Sequence, residues 1–155
     1  MPSTPFTAVG TNSAILTLSK TAWRLGICLS RLDQESRIVD ITVKNLAGEV
    51  KSLGNECDLV YAELEEVVSK NETGSIPPFI DNIDGRIWNC IAAQMEEASG
   101  TLQELELFVR SVRGEESSFN RQKKLDRSKN HIENVRTRIC RHTDNLRTTL
   151  LLIKT

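Results

Sequence analysis

Residues 39–67 read VDITVKNLAGEVKSLGNECDLVYAELEEV, and within them Val39, Val43, Leu46, Val50, Leu53, Cys57, Val60, Leu64 and Val67 follow at alternating steps of four and three. Such steps place these side chains on one face of an α-helix, a seam that the two-residue period of a strand cannot produce. The stretch predicts a helix over residues 34–70, roughly 50 Å long at 1.5 Å per residue. Asp33 is placed to cap its start, leaving a tight turn before it. Gly48 and Gly54 lie inside it, and each costs about 1 kcal/mol relative to Ala. Packing, rather than propensity, must therefore hold the segment helical.

Outward from this seam the pattern breaks between Lys70 and Phe79, where Asn71, Gly74, Ser75, Pro77 and Pro78 are turn residues. Asp81 offers an N-cap to a third helix whose seam is Ile83, Ile87, Cys90, Ile91, Met95, Ala98, Leu102, Leu105, Val109 and Val112, ending at Arg113-Gly114. Ser117 or Ser118 can cap a last helix with the seam Leu125, Ser128, Ile132, Val135, Ile139, His142, Leu146, Leu150 and Ile153. Its stripe is cleanest from Ile132 onward, which predicts looser first turns. Toward the N-terminus, Ile15, Leu18, Ala22, Leu25, Cys28, Leu29 and Leu32 give a shorter first helix over residues 13–32, preceded by a polar, flexible segment 1–12. The expected fold is all-α: an antiparallel four-helix bundle with one short and three long helices, a single domain over residues 13–155. A coiled coil shared between chains is the rival, but breaks at 71–79 and 113–117 would cut it twice.

With 155 residues, 39% of them apolar and 26% charged, the chain suits one folded domain. Aromatic residues make up only 5%, so Leu, Ile and Val must build the core. Met1-Pro2-Ser3-Thr4-Pro5 lacks the basic start of a secretory signal. No apolar run approaches the roughly 18 residues that a membrane span needs, so a cytoplasmic location is expected. The sequon Asn71-Glu72-Thr73 then has no consequence. Cys28, Cys57, Cys90 and Cys140 are widely spaced, without a C-x-x-C pair. Each falls on or beside an apolar stripe, and they read as buried, reduced thiols.

Chemistry-bearing patterns are missing. There is no G-x-x-x-x-G-K-[ST] and no G-x-G-x-x-G to cradle a phosphate. Neither His131 nor His142 is preceded at three residues by Glu, as the Glu-x-x-His pairs of di-iron bundles require. His142 falls on the seam and reads as a satisfied polar core residue. Cys140 and His142 point about 200° apart around a helix, so they form no dyad. The expectation is a protein that is not an enzyme, with no cofactor, no metal and no small-molecule substrate.

Charge is uneven. Residues 1–116 hold 10 Lys+Arg against 18 Asp+Glu, whereas residues 117–155 hold 10 against 3. The last helix carries a basic surface of Arg121, Lys123, Lys124, Arg127 and Lys129, followed by Arg136, Arg138, Arg141, Arg147 and Lys154. Acidic clusters stand at Glu63-Glu65-Glu66 and Glu96-Glu97. Basic helix four can lie against these acidic neighbours, or meet an anionic membrane surface, where each cation contributes about 1 kcal/mol. Nucleic acid ranks last and is not expected, since no aromatics interleave with the basic run. Trp23 lies off the main seam of the first helix, with Leu16 and Ile27 on the same side. That widens the apolar face beyond what one partner helix covers and marks it as a surface for a protein partner or a membrane.

A first helix holding Ile15-Leu16-Thr17-Leu18-Ser19-Lys20-Thr21-Ala22-Trp23 precedes a long one containing Ile41-Thr42-Val43-Lys44-Asn45-Leu46-Ala47-Gly48-Glu49-Val50-Lys51-Ser52-Leu53. A third helix follows, and then a basic last one ending Asn145-Leu146-Arg147-Thr148-Thr149-Leu150-Leu151-Leu152-Ile153. Over residues 8–153 this order resembles the N-terminal helical domains of fungal STAND-type receptors, the HeLo-like group. That group is related in architecture to the four-helix bundle of the mixed-lineage kinase-like pseudokinase. The resemblance implies a signalling or programmed-cell-death module that acts by self-association, in some members by disrupting membranes through the first helix. Members usually begin with an apolar segment, whereas here residues 1–12 are polar and Lys20 and Arg24 interrupt the first helix. The reading is a non-catalytic interaction module that self-associates or packs on a partner helical domain. The alternative is a membrane-perturbing effector using the basic helix four and the first helix.

Overall fold

A computed structural model describes the backbone of residues 8–35, 41–72 and 78–154, and the side chains of 13–32, 41–66 and 87–154. Every element in it is a helix: α1 (Ala8–Glu35), α2 (Ile41–Glu72), α3 (Pro78–Arg113), α4 (Ser118–Arg127) and α5 (Lys129–Lys154). The chain is all-α.

Three expectations on element boundaries need correction. The first helix is not short: it spans 28 residues, taking in residues 8–12 and also Asp33, which therefore lies inside α1 and does not cap α2. α3 begins at Pro78, with Asp81 already inside it. Proline suits a first helical turn, since its fixed φ is helical and the amide it lacks would have had no partner there. The last helix is two helices, so the short element is the 10-residue α4. They part at Ser128, whose backbone has φ −102° and ψ 12° and whose N–H reaches both Lys124 O and Leu125 O at 3.1 Å. Between Leu125 and Ile132 no apolar side chain holds the chain against a neighbour, and α4 buries Leu125 alone. The ladder resumes at Ile132, whose N–H donates to Ser128 O at 2.9 Å. Of the two candidate caps, Ser117 serves: its hydroxyl accepts from Asn120 N at 3.1 Å. The expected flexibility of residues 1–7 and the cap-to-turn region 73–77 lie outside the described residues.

The seam that decided the fold is interior. Val43, Leu46, Val50, Leu53, Cys57, Val60 and Leu64 are all buried, as are Ile15, Leu25 and Leu29 of α1, Ile91, Leu102 and Leu105 of α3, and Ile132, Ile139 and Leu146 of α5. The principal packing pairs are α1 with α2, α2 with α5, α1 with α3, and α3 with α5. Cross-helix contacts fix the directions. α1 and α2 run opposite ways, since Lys51 donates to Ser30 Oγ at 2.8 Å while Trp23 and Ser19 both reach Asp58. α3 and α5 also oppose, through Gln94 with Thr149 at 3.1 Å and Glu104 with Arg138 at 2.6 Å. The other pairs run parallel: Arg24 with Glu106 at 3.0 Å and Arg113 with Cys28 at 3.9 Å, then Glu49 with Arg136 at 4.0 Å and Glu56 with Arg147 at 3.7 Å. Among the described residues, consecutive α2 and α3 are thus not a principal pair, unlike the simplest hairpin arrangement.

The cysteines divide. Cys57 is buried, and burial, with the carboxylates of Asp58 and Glu56, pushes its thiol up to about 12, so it is an inert hydrophobe. Cys28 and Cys140 are half-buried and Cys90 is exposed, which corrects the reading of four buried thiols. In α3 the neighbouring Ile91 takes the interior position that was assigned to both. Among the described residues no helix is long and apolar enough to cross a membrane.

Candidate interaction surface

The predicted apolar face of α1 falls at the outer edge of the α1–α2 seam. That seam is close because its residues are small: Ser19, Ala22 and Gly26 on α1 are buried, as are Ala47 and Gly54 on α2. A Cβ on Gly54 would stand 2.9 Å from Trp23 Nε1 and 3.0 Å from Cδ1, so the indole lies directly on the backbone of α2. The indole N–H donates to Asp58 Oδ2 at 3.1 Å, and Ser19 Oγ donates to Oδ1 of the same carboxylate. One face of the ring is used in packing and its N–H is satisfied, yet 36% of the residue remains in solvent. Trp23 is therefore a fixed aromatic shelf rather than a free hot spot. Ile27 beside it is 47% exposed and Leu16 is half-buried. The structure brings the three together as a strip along α1, with exposed Lys20 among them.

The predicted basic surface divides. Arg121 is half-buried and its Nε donates to Glu115 O at 3.3 Å. Lys124 meets the Glu115 carboxylate at 3.4 Å, and Lys129, across the break at Ser128, meets Asp126 at 3.8 Å. Lys123 and Arg127 are exposed on the outer side of α4 and enter no ion pair among the described residues. Further along, Arg136, Arg138 and Arg147 of α5 face Glu49, Glu104 and Glu56, so much of the basic charge does lie against acidic neighbours. Glu56 is the notable member, a carboxylate only 5% exposed whose ion-pair partner is Arg147.

Sequence reasoning passed over Phe119. It sits one turn before Lys123 on α4 and is 73% exposed, the most exposed large apolar residue among those described. A basic run without aromatics was the expectation, but the helix begins early enough to bring Phe119 onto the face of Lys123 and Arg127. The signal available was the four-residue spacing of the three.

The described interior holds one buried polar cluster of note, between α3 and α5. The Thr101 hydroxyl, 2% exposed, donates to Glu97 O at 3.2 Å. Its oxygen then accepts from His142 Nε2 at 2.8 Å, which assigns the ring proton to that nitrogen. Arg138 reaches the same oxygen at 3.4 Å while holding Glu104. Burial, aided by Arg141 and Arg138 and opposed by Glu97, lowers the His142 pKa, so the ring stays neutral. This is the satisfied core histidine that its place on the seam predicts. Among the described residues no group of three His, Cys, Asp or Glu side chains could hold a metal ion. Comparison with protein-family models, curated proteins and solved structures gives no match.

Proposed function

We propose that α1, α2, α3 and α5 form a four-helix bundle that serves as a non-catalytic signalling module, acting by self-association or by packing on a partner helical domain. The observation that carries this reading is the Leu16–Trp23–Ile27 strip. Trp23 is held by Gly54 and Asp58 in one orientation while over a third of it faces solvent. A docking partner would gain its apolar surface without ordering a mobile side chain, the entropic loss that usually weakens association. The neighbouring Ile27, with 47% of its surface in water, extends the strip. The resemblance to the HeLo-like helical domains and the free cysteines support an intracellular signalling role. Replacing Ile27 with Asp tests it, because that side chain is outside the core: association measured by light scattering should fall while helicity and melting temperature stay unchanged. Unaltered association would refute self-association through the α1 strip.

A second reading, contact with an anionic membrane, is supported by exposed Phe119 beside Lys123 and Arg127. Flotation with dye-loaded vesicles, with and without anionic lipid, tests it. Protein that neither floats nor releases dye would refute it.

A further inference from the structure

Two solvent-facing stripes on this chain, one exposed and one partly buried at Glu63, are complementary, and they stand at opposite ends of the molecule. On the outer face of α4, Phe119, Lys123 and Arg127 follow at steps of four and share one side of the helix. Phe119 is 73% exposed, and both cations are exposed without an ion pair among the described residues. α4 turns its one buried residue, Leu125, the other way. Among the described residues, nothing in the packing of a single copy accounts for an aromatic ring so placed.

On the outer face of α2, Leu59, Glu63 and Glu66 follow at steps of four and three. Leu59 is 48% exposed, Glu63 half-buried and Glu66 exposed. One stripe is thus apolar, cationic, cationic, and the other apolar, anionic, anionic, at the same helical pitch. α4 follows the end of α3, where Arg113 reaches Cys28, and that turn of α1 is level with Lys51 of α2 through Ser30. Leu59 to Glu66 lies beyond Asp58, toward the other end of α2. The separation along the axis is about 20 Å, so the two stripes cannot meet within one molecule.

We infer that a second copy of this chain docks head-to-tail, its α4 stripe laid along the α2 stripe of the first. Phe119 covers Leu59, and Lys123 and Arg127 face Glu63 and Glu66. The inference rests on the self-association branch of the proposed function and uses surfaces separate from the α1 strip. A contact between two different patches leaves one of each unfilled at the ends, so it propagates into a ring or an open chain rather than stopping at a two-fold dimer. The rim charges steer register and give salt dependence.

The test is sedimentation velocity on the full chain at about 0.01 M and about 1 M salt, where the Debye length is roughly 30 Å and 3 Å. Species larger than a dimer should grow with concentration at low salt and dissolve to monomer at high salt. Lys123→Glu with Arg127→Glu should leave monomer, and so should Glu63→Lys with Glu66→Lys. Mixed in equal amounts, the two variants should associate again at low salt, since each now presents the complement of the other. A folding defect cannot produce that rescue. Either reversal leaving association intact, or a mixture that stays monomeric, overturns the inference. So does a wild-type chain that is monomeric throughout yet loses binding to anionic vesicles on the α4 reversal, which would assign the stripe to lipid. Where both reversals are silent but Ile27→Asp dissolves the assembly, the head-to-tail contact fails and the α1 strip stands.

Discussion

Replacing Gly48, Gly54 and Gly100 one at a time with Ala should give stability changes of different sign, although all three lie in long helices. A Cβ on Gly48 or Gly100 meets nothing within 4 Å. Each substitution therefore yields the bare propensity gain of about 1 kcal/mol. The two sites lie on α2 and α3, which are not a principal packing pair, so their effects should add to about 2 kcal/mol. For a domain of this length that raises the melting temperature by about 4–8 °C. Gly54→Ala carries the same gain but sets its methyl 2.9 Å from Trp23 Nε1, with two more ring atoms within 3.2 Å. The rigid indole must swing outward and give up its bond to Asp58. Hydrogen bonds to charged groups contribute about 1.5–3 kcal/mol when protected, and solvent reduces this at a ring more than a third exposed. Gly54→Ala should thus lie at least about 1 kcal/mol below Gly48→Ala. Urea midpoints at constant m-value measure the difference. Trp23 emission, read in a Trp88→Phe background, should move to longer wavelength in Gly54→Ala alone. In a Trp23→Ala background the same substitution should regain its stabilisation. A Gly54→Ala midpoint raised as much as that of Gly48→Ala, with Trp23 present and its emission unmoved, would refute the packing of indole on α2.

Thr101→Val keeps the shape but leaves the buried His142 N–H without its acceptor, and should cost about 1–3 kcal/mol by denaturant titration. The His142 pKa is lowered in the fold, so its contribution is fully present above the unfolded value of about 6.5 and is lost as pH falls below it. There the unfolded chain binds a proton that the folded chain refuses, giving a slope of at most about 1.4 kcal/mol per pH unit. His142→Gln should remove that share of the slope, and an unchanged acid profile would contradict a neutral, buried ring. Arg147→Met strips buried Glu56 of its ion pair; melting should show a loss of about 1 kcal/mol, moderated because the guanidinium is half in solvent. Ser117→Ala removes the cap on α4, costing about 1 kcal/mol, and hydrogen exchange should report it as faster opening of residues 118–127.

The interior was legible because a helix seam is a one-dimensional signal. Steps of three and four named Val43 through Leu64 as core before any neighbour was known, and all are buried. What sequence could not give was decided by contacts between segments. Ser128 fits the seam by spacing, yet it becomes a helix end, with no apolar side chain between Leu125 and Ile132 to anchor the turn. The α2–α3 connection reads as a plain hairpin, but which helices share a wall depends on the summed fit of all four faces. At the surface, Trp23 was recognised as off-seam, and its partner was not. The reason is Gly54, which reads as a weak point in α2 when taken alone and becomes the floor beneath an indole once α1 lies against it.

Gly54 costs α2 about 1 kcal/mol of propensity, and Ala would restore it were helix formation the sole demand on the position. Its absent side chain lets the indole approach until Asp58 can hold both it and Ser19. The result is an exposed aromatic with one orientation, flanked by Ile27, on a helix whose other faces are committed to α2 and α3. Phe119 on α4 has no such support, standing on a 10-residue helix with a single buried residue. The two surfaces should therefore differ in kind. The α1 strip is pre-formed, and a partner docking there would lose little entropy. The α4 stripe would gain order on contact, so its association should be weaker, more dependent on salt, and accompanied by slowed hydrogen exchange over residues 118–127. Equal exchange in free and assembled protein at that helix would remove α4 from the interface.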